Sequence, residues 1–147
     1  MADAFPSFAY LDTSALVKRY VTEPGTSVVR RLLRRHRVLS SALLPVEIVS
    51  AFHRRRSDGA LSEAAFNRLQ ARAVADGQSW QLVALADDVL AAARRWVLTY
   101  GVRTVDAVHL ASAELVYEAG VQMPFVTADG RQAAAATARG FAVVRVG

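Results

Sequence analysis

The 147-residue chain has no cysteine, and histidine occurs only at His36, His53 and His109. Without thiols there is no disulfide scaffold, thiolate zinc site, iron–sulfur cluster or cysteine nucleophile. Three histidines far apart in sequence do not make an all-histidine metal site. Any metal chemistry therefore falls to oxygen ligands, which suit hard ions such as Mg²⁺ or Mn²⁺. Long apolar runs are also missing. The longest, Val38 to Val46, is broken by Ser40, Ser41 and Pro45, far short of the ~18 residues of a membrane span. The opening MADAFPSFAY carries Asp3 and no basic stretch, so no secretory signal is expected. The expectation is a soluble cytoplasmic protein with no membrane association. Lysine is nearly absent too: Lys18 is the single lysine among 18 basic residues.

Those 18 basic residues stand against 13 acidic ones, a formal net charge of +5. A basic balance points to a polyanionic partner, most often nucleic acid. Codon composition offers a second account, since Arg and Ala both have GC-rich codons and both abound here. The length fits one domain, residues 1–147, able to bury roughly 70% of its unfolded surface without a staple.

Along the chain, short apolar strands alternate with helices or helix pairs. Phe8–Leu11 reads as a buried strand ending at an Asp12-Thr13-Ser14 helix cap. A short helix, Ser14–Tyr20, follows. After the break at Glu23–Thr26, Ser27–His36 is amphipathic, with Val28, Val29, Leu32 and Leu33 opposite the arginines. Val38–Ser40 is the second strand. The next helix runs from about Ala42 to Arg56, with Pro45 tolerated in its first turn. Another runs from Ser62 to about Gly77. Trp80–Val83 is the third strand, followed by a helix from Asp87 to Tyr100. Thr104 is expected to cap a helix from Val105 to Glu118. Pro124–Val126 is the fourth strand. The Ala-rich segment to Arg139 is helical, and Phe141–Arg145 is the last strand. This alternation specifies an α/β fold with a mostly parallel sheet of about five strands and helices on both faces.

Ligands of open α/β sheets bind at the carboxyl ends of the strands. Asp12 directly follows the first strand there, and Asp129 lies three residues beyond Val126. Glu47 and Asp106 sit in helices among apolar neighbours, in Val46-Glu47-Ile48 and Val105-Asp106-Ala107. Buried unpaired carboxylates are costly and call for compensation. Two divalent cations balance four carboxylates, and a two-metal site serves in-line displacement at phosphorus. Each acid also has an ordinary structural account: Asp12 and Asp129 as helix caps, Asp106 as a first-turn acid, Glu47 on a polar stripe. The joint pattern carries the weight.

The segments Tyr10-Leu-Asp-Thr-Ser-Ala-Leu-Val-Lys18, Val46-Glu-Ile-Val-Ser-Ala51, Arg103-Thr-Val-Asp-Ala-Val-His-Leu-Ala111 and Phe125-Val-Thr-Ala-Asp129 occur in that order. Together they resemble PIN-domain ribonucleases, above all the VapC-type toxins of bacterial toxin–antitoxin pairs. The resemblance covers essentially the whole chain and implies a three-layer α/β/α domain. It implies a Mg²⁺- or Mn²⁺-dependent endoribonuclease cutting RNA phosphodiesters. Asp12, Glu47, Asp106 and Asp129 would be its metal-holding catalytic acids. Ser14 and Thr127 would steady them from behind. It further implies a cognate antitoxin partner and a homodimer. His109, three residues after Asp106, reads as a packed core residue. Relatives place a bulkier apolar residue soon after the last acid, where this chain has Gly130-Arg131-Gln132.

An acidic centre needs cationic flanks to hold RNA. Lys18, Arg19, Arg54, Arg55, Arg56 and Arg103 are the candidates. The cluster Arg30, Arg31, Arg34, Arg35 and Arg37 is either a solvated face or a partner surface. Alternatives to the toxin reading are a housekeeping PIN nuclease in RNA processing and a catalytically silent partner-binding module. The intact set of acids argues against the latter. A phosphatase with Asp12 as nucleophile would want a second Asp two residues on, where Ser14 stands.

Overall fold

The structure, a computed structural model, describes residues 7–147; the part of the leader reading that concerns Met1–Pro6 lies outside them. The elements in order are β1 (Phe8–Leu11), α1 (Thr13–Tyr20), α2 (Thr26–Leu33), β2 (Arg37–Ser41), α3 (Leu44–Ser57), α4 (Glu63–Gly77), β3 (Gln81–Val83), α5 (Asp87–Tyr100), α6 (Thr104–Glu118), β4 (Phe125–Thr127), α7 (Gly130–Arg139) and β5 (Val143–Arg145). The strands form one sheet in the order β3-β2-β1-β4-β5, with every pairing parallel. This is the α/β/α architecture expected of the sequence, and the sheet is wholly parallel.

β1 is central, and its period-two alternation assigns side chains to the two layers. Ala9 and Leu11 join a core built by α1 to α4. Tyr10 joins the opposite core, built by α5, α6 and α7. There it stacks on Phe125 of β4 at 5.3 Å. All three β1 residues are fully buried, as a strand covered on both faces requires. The sheet order turns around at β1, which continues to β2 on one side and β4 on the other. The carboxyl ends of β1 and β4 therefore open onto one crevice, the place where such sheets bind ligands.

Several boundaries differ from the sequence reading, and in three of them a backbone N–H is spent elsewhere. Phe141 was expected to open the last strand, but its N–H bonds Ala136 O at 3.0 Å. That bond closes α7 around Gly140, whose φ of 96° is left-handed, so β5 starts only at Val143. Trp80 gives its N–H to Gly77 O, within the turn after α4. The helix expected through His36 ends at Leu33. Arg34–His36 form a tightened turn, and Arg37 then pairs with Ser7 O at 2.8 Å. Thr104 is the first residue of α6 rather than its cap. Arg103 takes the cap position in extended conformation, without a side-chain cap bond.

Candidate active site

Asp12 is the residue at which β1 becomes α1. Its extended backbone ends the strand, and its Oδ1 accepts the Ala15 N–H at 2.9 Å as a helix cap. The capping role read from the sequence is thus present, but it uses one oxygen only. Oδ1 also accepts from Ser14 Oγ at 2.7 Å, and Oδ2 accepts from Thr127 Oγ1 at 2.6 Å. The two hydroxyls are themselves held: Ala128 N–H donates to Ser14 Oγ, and Asp129 N–H to Thr127 Oγ1, both at 3.0 Å. One polar network therefore ties the end of β1 to the end of β4. Asp12 is 3% exposed. Burial pushes its pKa up, opposed by His109 and by the hydrogen bonds from Thr127, Ser14 and the Ala15 N–H.

Glu47 enters from α3 and Asp106 from the first turn of α6, so the acids come from both helical layers. Glu47 Oε1 accepts from Thr13 Oγ1 at 2.9 Å and lies 2.7 Å from His109 Nε2. His109 Nδ1 in turn lies 2.8 Å from the Tyr10 hydroxyl. The tautomer that serves both neighbours carries its proton on Nε2, donating to Glu47 and accepting from Tyr10. The core position expected for His109 is real, since it is 1% exposed. Its ring does more than pack: the buried Tyr10 and His109 and the partly exposed Glu47 form a hydrogen-bonded chain leading from the sheet to the crevice. Neither Tyr10 nor Thr13 was a candidate on sequence grounds. The apolar pattern around Tyr10 marked it only as core.

Asp129 caps α7 through Oδ1, which accepts the Gln132 N–H at 2.9 Å. Asp106 is half-buried. Burial raises its pKa, and the nearby charges of Asp129 and Asp12 raise it further, against His109 and Arg103. Asp12, Glu47, Asp106 and Asp129 all line one cleft of ≈ 420 Å³, with His109 in its wall.

The donor set suits a hard cation. All four acids offer oxygen, and the Asp106 carboxylate, Glu47 Oε2 and Asp129 Oδ2 accept no hydrogen bond among the described residues. Asp12 presents Oδ2 with a single donor. The acids line the cleft without closing on a point: among the described residues, no three His, Asp or Glu side chains gather into a ready ion cage.

The cationic candidates separate. Lys18, Arg54 and Arg55 line the cleft. Lys18 Nζ and Arg55 Nη2 both bind Glu23, at 3.2 and 3.1 Å, and Arg54 bonds Ser50 Oγ at 3.1 Å. Arg19 and Arg56 are placed elsewhere. Arg19 pairs with Asp76 at 3.2 Å beside a separate depression lined by Trp80 and His36. Arg56 pairs with Glu63 at 3.1 Å and lies over the Phe66 ring at 3.8 Å. Both point outward because helix spacing turns successive residues of α1 and α3 onto different faces. Arg103 lines a second groove next to the cleft.

A parallel α/β/α sandwich with four carboxylates lining one cleft at the carboxyl edge of its sheet defines a class of acid-centred domains. The chain belongs to the PIN domain family, whose model matches residues 9–138. It is 36% identical over 137 residues to Ribonuclease VapC46 of Mycobacterium tuberculosis, covering 92% of this chain and 95% of that one. Among solved structures it is similar to VapC20 of Mycobacterium tuberculosis, a Sarcin-Ricin loop cleaving toxin, with a TM-score of 0.66 and 20% identity. That match covers 93% of this chain and 98% of the other. A chain of a toxin–antitoxin complex from Klebsiella pneumoniae matches with a TM-score of 0.64 and 14% identity, over 92% and 95% of the two chains. Among the described residues, no helix is long and apolar enough to cross a membrane.

Proposed function

We propose that this protein is an endoribonuclease toxin of a toxin–antitoxin pair, hydrolysing RNA phosphodiester bonds with Mg²⁺ or Mn²⁺. The observation that carries the reading is the lining of one cleft by Asp12, Glu47, Asp106 and Asp129, in a PIN-family chain 36% identical to a named ribonuclease. Asp106, Glu47 Oε2 and Asp129 Oδ2 are the acceptors available to the ion, with Asp12 at the base of the cleft. A divalent ion bound there supplies Lewis-acid activation of water and of the leaving oxygen. The chain's own part is positioning. Ser14 and Thr127 fix both oxygens of Asp12. Thr13 and His109 fix Oε1 of Glu47, leaving Oε2 directed to the ligand. A water attacks phosphorus, the phosphorus–oxygen ester bond breaks, and the departing ribose oxygen takes a proton. Of the cations lining the cleft, Lys18 and Arg55 are held by Glu23, and Arg54 is the one left to meet the substrate's phosphates.

The same reading assigns the chain a cognate antitoxin, a second copy of itself as dimer partner, one domain and a cytoplasmic location. The test is cleavage of single-stranded RNA by the purified protein with Mn²⁺, abolished by excess chelator and by Asp106→Asn. Cleavage that persists in chelator would overturn the metal-dependent mechanism. Induction of the unsubstituted chain should arrest growth, and induction of the Asp106→Asn chain should not. Normal growth with active enzyme present would overturn the toxin assignment.

A further inference from the structure

A second groove of ≈ 950 Å³ adjoins the cleft and shares Asp106 and Asp129 with it. Three exposed arginines line it: Arg103 before α6, Arg131 in the first turn of α7, and Arg145 on the edge strand β5. None of the three forms an ion pair among the described residues. The contrast with the other flank is sharp. Lys18 and Arg55 share Glu23, Arg19 pairs with Asp76 and Arg56 with Glu63, so there Arg54 alone is without an acid partner among the described residues.

Gly130 explains how Arg145 reaches the groove. Its φ is not positive, so its backbone does not demand glycine. What it provides is room: a Cβ there would lie 3.0 Å from Arg145 Nη2 and 3.3 Å from its guanidinium carbon, so the arginine would have to shift. The Arg145 guanidinium rests over the backbone at Gly130, the residue that follows Asp129 in the chain. Tyr100 completes the groove, its ring braced on Trp96 at 5.0 Å.

We infer that this groove binds the RNA strand on one side of the scissile bond, with Arg131 and Arg145 taking successive phosphates and Tyr100 offering a stacking face to a base. The inference rests on the ribonuclease reading above. Unpaired guanidiniums and a rigid aromatic face beside a reactive centre are what a single strand needs. An acidic protein segment would use the charges but not the ring.

The test uses the Asp12→Asn chain, which retains the groove, with Mg²⁺ and a fluorescein-labelled 12-nucleotide single-stranded RNA. Adding Arg131→Ala and Arg145→Ala should weaken binding at least tenfold at ~0.1 M salt. It should also lower the slope of log Kd against log salt by about 1.4, since each single-strand phosphate contact contributes about 0.7. Arg35→Ala, on the remote basic cluster, should leave that slope unchanged. With Asp12 intact, Gly130→Ala keeps every charge but moves the guanidinium. It should raise KM for RNA about threefold with kcat within twofold. Unchanged Kd and slope in the double variant overturn the groove assignment. Competition by poly-L-glutamate as effective as by RNA also overturns it, in favour of a protein-docking surface. If the unsubstituted chain cuts no RNA with Mn²⁺, the ribonuclease reading itself fails. If it cuts RNA and the groove variants match it, only the groove assignment fails.

Discussion

Replacing Asp12 by Asn should separate folding from catalysis. Asp12 is buried, and its pKa is raised by burial against the pull of its donors. A raised carboxyl pKa means that folding penalises the charged form relative to the unfolded chain. This group's contribution is therefore fully stabilising at low pH and is lost as pH rises through the folded pKa. Asn is the permanently neutral isostere. Its oxygen keeps the bonds from Ser14 Oγ and the Ala15 N–H. Its amide replaces Oδ2 and donates to Thr127 Oγ1. The Thr127 proton then turns to Gln132 Oε1, 3.4 Å away, and no polar atom is stranded. Three charge-assisted bonds become neutral ones, each weaker by about 1 kcal/mol. Set against this is the removal of a buried charge costing several kcal/mol. The net is a gain of about 1 kcal/mol in chelator at neutral pH, or a Tm higher by about 2–4 °C.

Metal reverses that order. Mn²⁺ at about 100 times its Kd stabilises a binding-competent fold by about 2.7 kcal/mol. The Tm of the unsubstituted chain should then rise by about 5–10 °C while that of the Asn chain barely moves. Loss of about 4 kcal/mol of transition-state stabilisation slows cleavage about 10³-fold. Calorimetry with and without Mn²⁺, beside a quenched-fluorophore RNA assay, reads all three quantities. An Asn chain that melts several degrees lower in chelator would refute the hydrogen-bond reasoning. An equal Mn²⁺ shift in both chains would refute the placement of Asp12 in the ion site.

His109 is a positioning residue for Glu47. His109→Leu should weaken Mn²⁺ binding by about tenfold, whereas His109→Gln, which keeps a donor near the Nε2 position, should recover most of it; equal Mn²⁺ affinity in both variants would remove that role. Burial alone raises the Glu23 pKa, but the hydrogen bonds and charges of Arg55 and Lys18 outweigh it and hold the carboxyl below its usual value. That stability is present above the unfolded pKa and lost as pH falls through the folded one. Urea midpoints of the unsubstituted and Glu23→Gln chains should therefore differ at pH 7 and converge only as pH falls through the lowered Glu23 pKa; a constant gap would contradict the ion-pair origin. Phe52 is fully buried between α3 and its neighbours and meets Tyr20 edge-on at 5.6 Å. Phe52→Ala should cost about 3–5 kcal/mol in chemical denaturation, and a loss under 1 kcal/mol would mean that this layer repacks.

The strand-then-acid pattern at Leu11-Asp12 and Val126–Asp129 was readable because chain direction alone places both at the carboxyl edge of a parallel sheet. Glu47 was readable only jointly with the other acids, because a polar stripe accounts for it alone and the flanking Val46 is in fact exposed. Tyr10 was not readable, because a hydroxyl at the end of a buried ring looks like any other apolar strand residue. Its partner His109 lies 99 residues away on another layer. The cations were the least readable of all. An arginine's role depends on whether an acid from elsewhere reaches it, and Glu23, Asp76 and Glu63 approach α1 and α3 only once the chain is folded.

That pairing changes the meaning of the net charge. Setting aside the four cleft acids, the 13 acidic residues reduce to nine against 18 basic ones, which reads as a uniformly cationic shell. The fold distributes the charge unevenly. Acids settle beside the cations of α1 and α3, and the cations around Gly130 are left without partners. An exposed ion pair adds little to stability. Its larger effect is to remove two charges from the field that an approaching polyanion meets. Beside the cleft, that leaves the unpaired guanidiniums of Arg103, Arg131 and Arg145 to meet the substrate at full charge. Salt should therefore act unequally. Raising ionic strength should weaken RNA capture through the Arg131 and Arg145 side far more than through the Glu23-paired side. A Glu23→Gln chain, by releasing Lys18 and Arg55 toward the cleft, should bind RNA more tightly and with a steeper salt slope. An unchanged slope in that chain would show that those two cations already meet the substrate despite their pairing.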